Sequence, residues 1–212
     1  MRYKIITGKY KTGTEEQKDN YRMLFGDKNI QENFDLYFHW YNIIHELGHI
    51  LISHKGLSFS NADEEQFVND FAVAYWMEVD KQSNLLKVKD IVTNALKRIP
   101  RPIGEDIYFL DYFRENWGNF EMSVAMYGFF QMACVASSLS RERNLKVVLS
   151  NIGYENITID NLISREYEIN CEAPEIILKD FIMNMSTIGI EMPSIELEIV
   201  DNPDIQCCEN KN

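Results

Sequence analysis

Two stretches of this chain, residues 37–53 and 61–76, carry so many large apolar side chains at helical spacing that a fold in water has to bury both. In the first, Ile43, Ile44, Leu47, Ile50 and Leu51 follow a run of aromatic residues at three- and four-residue intervals. That pattern predicts a well-buried helix, which Gly56 stops. In the second, Asn61-Ala62-Asp63-Glu64 reads as a helix start, because acidic side chains complement the unpaired amides of a first turn. Phe67, Val68, Phe71, Ala72, Tyr75 and Trp76 then share one broad face.

Around this centre the length of 212 residues fits one large domain over 1–200, followed by a polar tail at 201–212. The motif core spans 34–80 and a helical remainder spans 83–187. Helices are expected at 83–98, 104–115, 119–141 and 173–186. The pair Pro100 and Pro102 ends the first of these, and Pro174 sits in the first turn of the last. Residues 9–33 read as loop or weak helix. Strands are expected at about 3–7 and 194–200, the latter from the period-two alternation of Ile195, Leu197 and Ile199 with Glu196 and Glu198. The expected fold class is α+β, dominated by helices, with a small sheet.

Charge narrows the partners. Lys and Arg total 21 against 33 Asp and Glu, a net of −12, so broad binding to a phosphate backbone is not expected. The one basic concentration, Lys87, Lys89, Lys97, Arg98 and Arg101, is interrupted by Asp90 and lacks interleaved aromatics; it reads as a solvated helix face rather than a docking surface. Polar residues break up the first nine positions too early for a secretory segment, and no apolar run approaches the ~18 residues of a membrane span. Cys134, Cys171, Cys207 and Cys208 have neither zinc-knuckle spacing nor the density of a disulfide scaffold. A cytoplasmic protein with reduced thiols and no membrane partner is expected.

Within the first buried helix lies His45-Glu46-Leu47-Gly48-His49. Four residues on a helix advance by about 400° and about 6 Å, so both imidazoles project from one face and can ligate one ion. Glu46 stands about 100° around the helix, near enough to take a proton from water beside that ion without occupying a ligand position. The competing reading is a buried helix with two structural histidines. Two features weigh against it. Unpaired imidazoles in so apolar a helix would be costly. The next helix also supplies a third donor, completing the set of two histidines and a carboxylate that catalytic zinc, Zn2+, commonly takes. Of Glu64 and Glu65, Glu65 shares a stripe with Asn69 and Ala72 and is the expected ligand. Asn69 is placed to hydrogen-bond the far nitrogen of a ligand histidine, and Glu64 is expected to face solvent.

These residues resemble the ImmA/IrrE-type metallopeptidases, a gluzincin-like family. His45-Glu46-Leu47-Gly48-His49 is similar to its H-E-x-G-H, and Glu65 through Asn69 to Phe71-Ala72 is similar to its E-x-x-x-[ND]-x-F-A block. The resemblance covers residues 42–77. It implies a zincin-like fold, a zinc ion held by His45, His49 and Glu65, and Glu46 as general base. It also implies a specific protein substrate, plausibly a helix-turn-helix transcriptional repressor. Asn42 and Ile44 stand where family members often carry Thr and Ala, and Tyr75-Trp76-Met77-Glu78 replaces the usual Leu-Leu-Met-Pro.

A peptidase also needs a hydrogen-bond donor for the developing oxyanion, and Tyr75, Tyr108, Tyr112 and Tyr127 all have the chemistry. His39 and His54 read as structural, Phe129, Phe130 and Met132 as core, and Cys134 as an inert thiol. The alternative function, from a different class, is a regulatory binding protein that keeps the metal-site scaffold and acts by docking.

Overall fold

Strand β1 (Arg2–Gly8) lies beside β2 (Ser194–Val200), in register from Arg2 opposite Ser194 to Gly8 opposite Val200. The pairing is parallel, which no hairpin can make, so almost the whole intervening chain forms the crossover. The computed structural model describes residues 2–120 and 124–201; the expected polar tail, with Cys207 and Cys208, lies outside the described residues. Between the strands come α1 (Glu15–Phe25), α2 (Ile30–Phe34), a π-helical segment Asp35–Tyr41, α3 (Asn42–His54) and α4 (Asn61–Val79). They are followed by α5 (Asn84–Arg98), α6 (Phe109–Phe120), α7 (Val124–Arg141), α8 (Leu145–Ser150) and α9 (Ala173–Thr187). The fold is α+β with helices dominant. Among the described residues no helix is long and apolar enough to cross a membrane.

The expected boundaries hold to within a residue for α5, α9 and both strands, and α4 starts at the expected Asn61 and runs on past Trp76 to Val79. Of the loop or weak helix expected over 9–33, helix is what forms, as α1 and the start of α2. Thr14 and Gln17 cap α1 reciprocally, at 3.2 and 2.8 Å, and Tyr21 and Phe25 anchor it in the core. α6 starts at Phe109 rather than 104. Arg101 donates to the carbonyls of Gly104 and Ile107, holding 104–107 as a turn. α8 escaped the sequence reading because a six-residue helix is too short to display a period; Leu145, Val148 and Leu149 bury it.

The centre of the molecule is a layer of α3, α4 and α7. Contacts between α3 and α4 pair Tyr41 with Asn69, His45 with Glu65 and His49 with Glu64, so the two run antiparallel across the loop at Gly56, whose φ is +67°. They approach closely at Gly48, where a Cβ would meet Val68 and Phe71 at 3.1 Å. Trp40 stacks on Trp76 at 3.8 Å, fully buried. Each such aromatic or branched side chain contributes roughly 1.5–3 kcal/mol by leaving water.

α7 is fastened to α4 by polar contacts in parallel order. Gln131 reaches Glu65, Gln66 reaches Ser138 at 2.8 Å, and buried Asp70 accepts from Ser138 at 2.7 Å and Arg141 at 2.8 Å. Arg143 lies 3.3 Å from the other oxygen of Asp70. β1 joins the layer from the far side of α3, where Gly8 O lies 2.8 Å from Nε2 of His39 and the Tyr3 hydroxyl meets Ser53 at 3.3 Å.

Candidate metal centre

The helical spacing brings His45 and His49 together as the sequence requires, with ring centroids 4.9 Å apart on one face of α3. The first turn of α4 then presents Glu65 to both: Oε2 lies 3.3 Å from Nε2 of His45 and 3.7 Å from Nε2 of His49. One ligand atom from each of the three falls within 4.8 Å of the others, so the group can hold a metal ion. His45 and Glu65 are buried, and the His49 side chain keeps 26% of its exposure, so the cluster reaches solvent at His49.

Glu46 stays out of this set. Asn42, one helical turn earlier, donates to its Oε1 at 3.0 Å and holds the carboxylate beside the cluster. Asn42 thereby positions the Glu46 carboxylate.

Two expectations about the surroundings need correction. Glu64 does not face solvent. Its Oε1 lies 2.8 Å from Nδ1 of His49, which orients that ring and leaves Nε2 for the cluster. Glu64 and Glu65 both reach α3 here, so adjacent carboxylates serve both sides of the same imidazole. Asn69 is not bonded to a histidine. Its Nδ2 turns back to the Glu65 carbonyl at 2.8 Å and its Oδ1 accepts from Tyr41 at 2.9 Å, an arrangement that fixes the backbone of Glu65. Among the described residues Nδ1 of His45 has no hydrogen-bond partner.

The charge balance follows from these contacts. Burial works against a positive ring at His49, but hydrogen bonds to Glu64 and Glu65, with Glu46 nearby, outweigh it and push the pKa up to about 10. Burial likewise penalises ionised Glu65, yet His45 and His49 together draw its pKa well below the usual carboxylate range. The pocket therefore keeps a carboxylate ionised in an apolar interior and calls for positive charge beside it. Two imidazoles and one carboxylate, with Glu46 outside the set, fit a small divalent cation.

α7 completes the wall. Gln131 donates to Glu65 Oε2 at 2.9 Å and to the Tyr127 hydroxyl at 2.8 Å, and that hydroxyl lies 3.5 Å from Glu65 Oε1. Of the four tyrosines considered from the sequence, Tyr127 is the one in contact with a site residue. Tyr75 is buried elsewhere, its hydroxyl accepting from Asn184 at 2.8 Å. Gln131 was not legible beforehand. Its spacing of four from Tyr127 puts the two on one face, but nothing in the sequence says that face lies over Glu65.

The remaining candidates fall outside the cluster. His39 is buried, held between Gly8 and Asp35, and His54 sets its ring edge against Tyr3. Burial, reinforced by the charge of Glu65, pushes the Cys134 thiol up, against a role as nucleophile. Phe129, Phe130 and Met132 are core. In the basic stretch, Arg98 is engaged with the carbonyls of Met23 and Leu24, Arg101 with the 104–107 turn, and Lys87 with Asn84.

Comparison with protein-family models, with curated proteins and with solved structures finds no match to this chain. The functional reading therefore stands on the chemistry of the site.

Proposed function

We propose that the chain is a zinc-dependent endopeptidase of the ImmA/IrrE type, zincin-like in fold. It acts in the cytoplasm on one protein, a helix-turn-helix transcriptional repressor. One observation carries the reading: Glu65 meets both histidines of the H-E-x-x-H helix while Glu46, within that same helix, is held beside them and outside the donor set.

His45, His49 and Glu65 would hold the ion, and two imidazoles with a carboxylate is the set that suits zinc with one position left open. Zinc held there would supply Lewis acidity, toward a water and toward the scissile carbonyl. Glu46 takes the proton of the attacking water and returns it to the amine that leaves, so one carboxylate serves as base and then acid. Asn42 keeps that carboxylate aimed, and Glu64 keeps His49 in the tautomer that offers Nε2. An extended backbone is needed to enter, so cleavage is expected at an exposed loop or linker of the partner.

The first test measures zinc and cleavage together. The purified protein is expected to carry close to one zinc per chain and to lose most of it on His45→Ala or His49→Ala. Glu46→Gln should retain the ion and the fold while cutting cleavage by orders of magnitude, because the amide fills the same space but accepts no proton. Mass spectrometry of a helix-turn-helix repressor incubated with each protein reads the second part. Stoichiometric zinc surviving both histidine substitutions would refute the site. Full biological effect with Glu46→Gln would establish the docking alternative instead.

A further inference from the structure

We propose that the Tyr127 hydroxyl donates a hydrogen bond to the carbonyl oxygen of the scissile amide as that oxygen gains negative charge, and that Gln131 holds the phenol in position. This rests on the endopeptidase reading and assigns it one further catalytic residue. No proton changes hands in the step: the phenol keeps its O–H, and the charge that forms on the substrate oxygen is stabilised by it and then collapses as the C–N bond breaks.

The geometry supplies three parts of the argument. Gln131 donates one amide N–H to the phenol oxygen at 2.8 Å, which occupies a lone pair and directs the phenol proton away from Gln131. Accepting that bond also makes the phenol a better donor, because hydrogen bonds in a chain polarise one another. Glu65 Oε1 lies 3.5 Å from the same hydroxyl, at the limit of a hydrogen bond, so the phenol stands beside the carboxylate that would hold the ion. A donor at this place meets a stronger acceptor when charge develops on an oxygen bound next to Glu65. That is the differential stabilisation catalysis requires.

The other tyrosines are less suited. Tyr41 donates to Asn69 and the Tyr75 hydroxyl is taken by Asn184, both in the core. Tyr108 is 52% exposed. The real rival is Tyr37, on the π-helical segment that leads into α3. It is buried, and Glu65 and Glu46 lie close enough to add to the effect of burial on its hydroxyl.

The experiment uses full-length, zinc-loaded protein and two probes built on the same dipeptide. One carries a phosphonate, whose tetrahedral oxygens imitate the charged intermediate, and the other a thiol, which meets zinc through sulfur and offers no such oxygen. Calorimetry should show Tyr127→Phe losing about 10- to 100-fold in phosphonate affinity, the worth of one hydrogen bond to a charged group. Thiol affinity should stay within about twofold and zinc content should be unchanged. Gln131→Met should lose less, in the same direction and on the same probe, and Tyr37→Phe should leave the ratio of the two affinities as in wild type.

An equal loss on both probes, loss of zinc from Tyr127→Phe, an unchanged ratio, or a ratio that moves with Tyr37→Phe instead would each overturn the proposal. So would zinc-loaded wild type that binds neither probe. Wild type without zinc refutes the metal reading and the proposal with it. Tyr127-dependent phosphonate binding by a protein that cleaves nothing refutes hydrolysis alone, which keeps the two failures apart.

Discussion

A carboxylate on the far nitrogen of a ligating imidazole fixes its tautomer and strengthens it as a donor, and Glu64 holds that place on His49 at 2.8 Å. Glu64→Gln is expected to weaken zinc binding by about 10- to 100-fold with the fold intact, as read by competition with a chelator of known affinity. The same histidine makes the metal-free protein sensitive to pH. Its folded pKa, about 10, lies above its ordinary 6.5, so the stabilisation it contributes is complete below pH 6.5 and disappears as pH rises toward 10. Stripped of metal, the protein should melt at progressively lower temperature across that window. A zinc ion bound there would replace the proton on this cluster, so zinc affinity should rise through the same window, and thermal melts with and without chelator will show whether the two trends oppose. At the acid end Glu65 acts in the opposite sense. Its pKa is depressed, so its contribution is present above about pH 4.5 and is lost as pH falls below.

At the scale of elements, the ligand set depends on how α4 is clamped between α3 and α7. Gly48 lets α3 approach α4 until a Cβ there would press on Val68 and Phe71 at 3.1 Å, and across this close approach Glu65 reaches the imidazoles. The π-helical segment Asp35–Tyr41 shifts the register just before α3, and such bulges gather near functional sites. On the other side, Asp70 is the anchor. It is 4% exposed and faces Arg141 and Arg143, whose own side chains remain 30–40% exposed. Asp70→Ala is expected to cost about 2–3 kcal/mol in urea denaturation, toward the lower end for a broken buried pair because both arginines can rehydrate. It should also loosen Gln131 and Tyr127 over the site. A stability change below about 0.5 kcal/mol would mean that α7 is held by its apolar face alone.

Across the whole molecule, a charge of −12 works at long range. A repressor presents a basic DNA-binding surface, so its encounter with this chain should be steered electrostatically. Cleavage of such a partner is expected to slow severalfold as salt rises from about 50 to about 500 mM, with zinc content constant, since the Debye length shrinks over that range. Rapid, salt-indifferent degradation of casein would contradict a selective enzyme. The sheet also belongs to this scale. Its outward face carries Arg2 against Glu196, Lys4 against Glu198 and, just beyond, Lys9 against Asp201, exposed pairs that select the parallel register more than they stabilise it.

Periodicity and spacing along the chain were enough to determine which segments form α3 and α4 and which side chains within a helix share a face, because both follow from 3.6 residues per turn. His45 and His49 meet for that reason, and Asn42 reaches Glu46 by the same one-turn spacing. Composition likewise set the helical class and the burial of α3 and α4. Contacts between elements needed the tertiary structure, since a helix period says which residues point together and nothing about what they point at. So Glu64, expected in water, lies on His49; Asn69, expected on a histidine, bonds Tyr41 and the Glu65 carbonyl; and Tyr127 with Gln131 closes over Glu65 from more than sixty residues away. The pairing of β1 with β2 is of the same kind. Alternation marks a strand, but its partner depends on how the helical layer between them brings the two ends of the chain side by side.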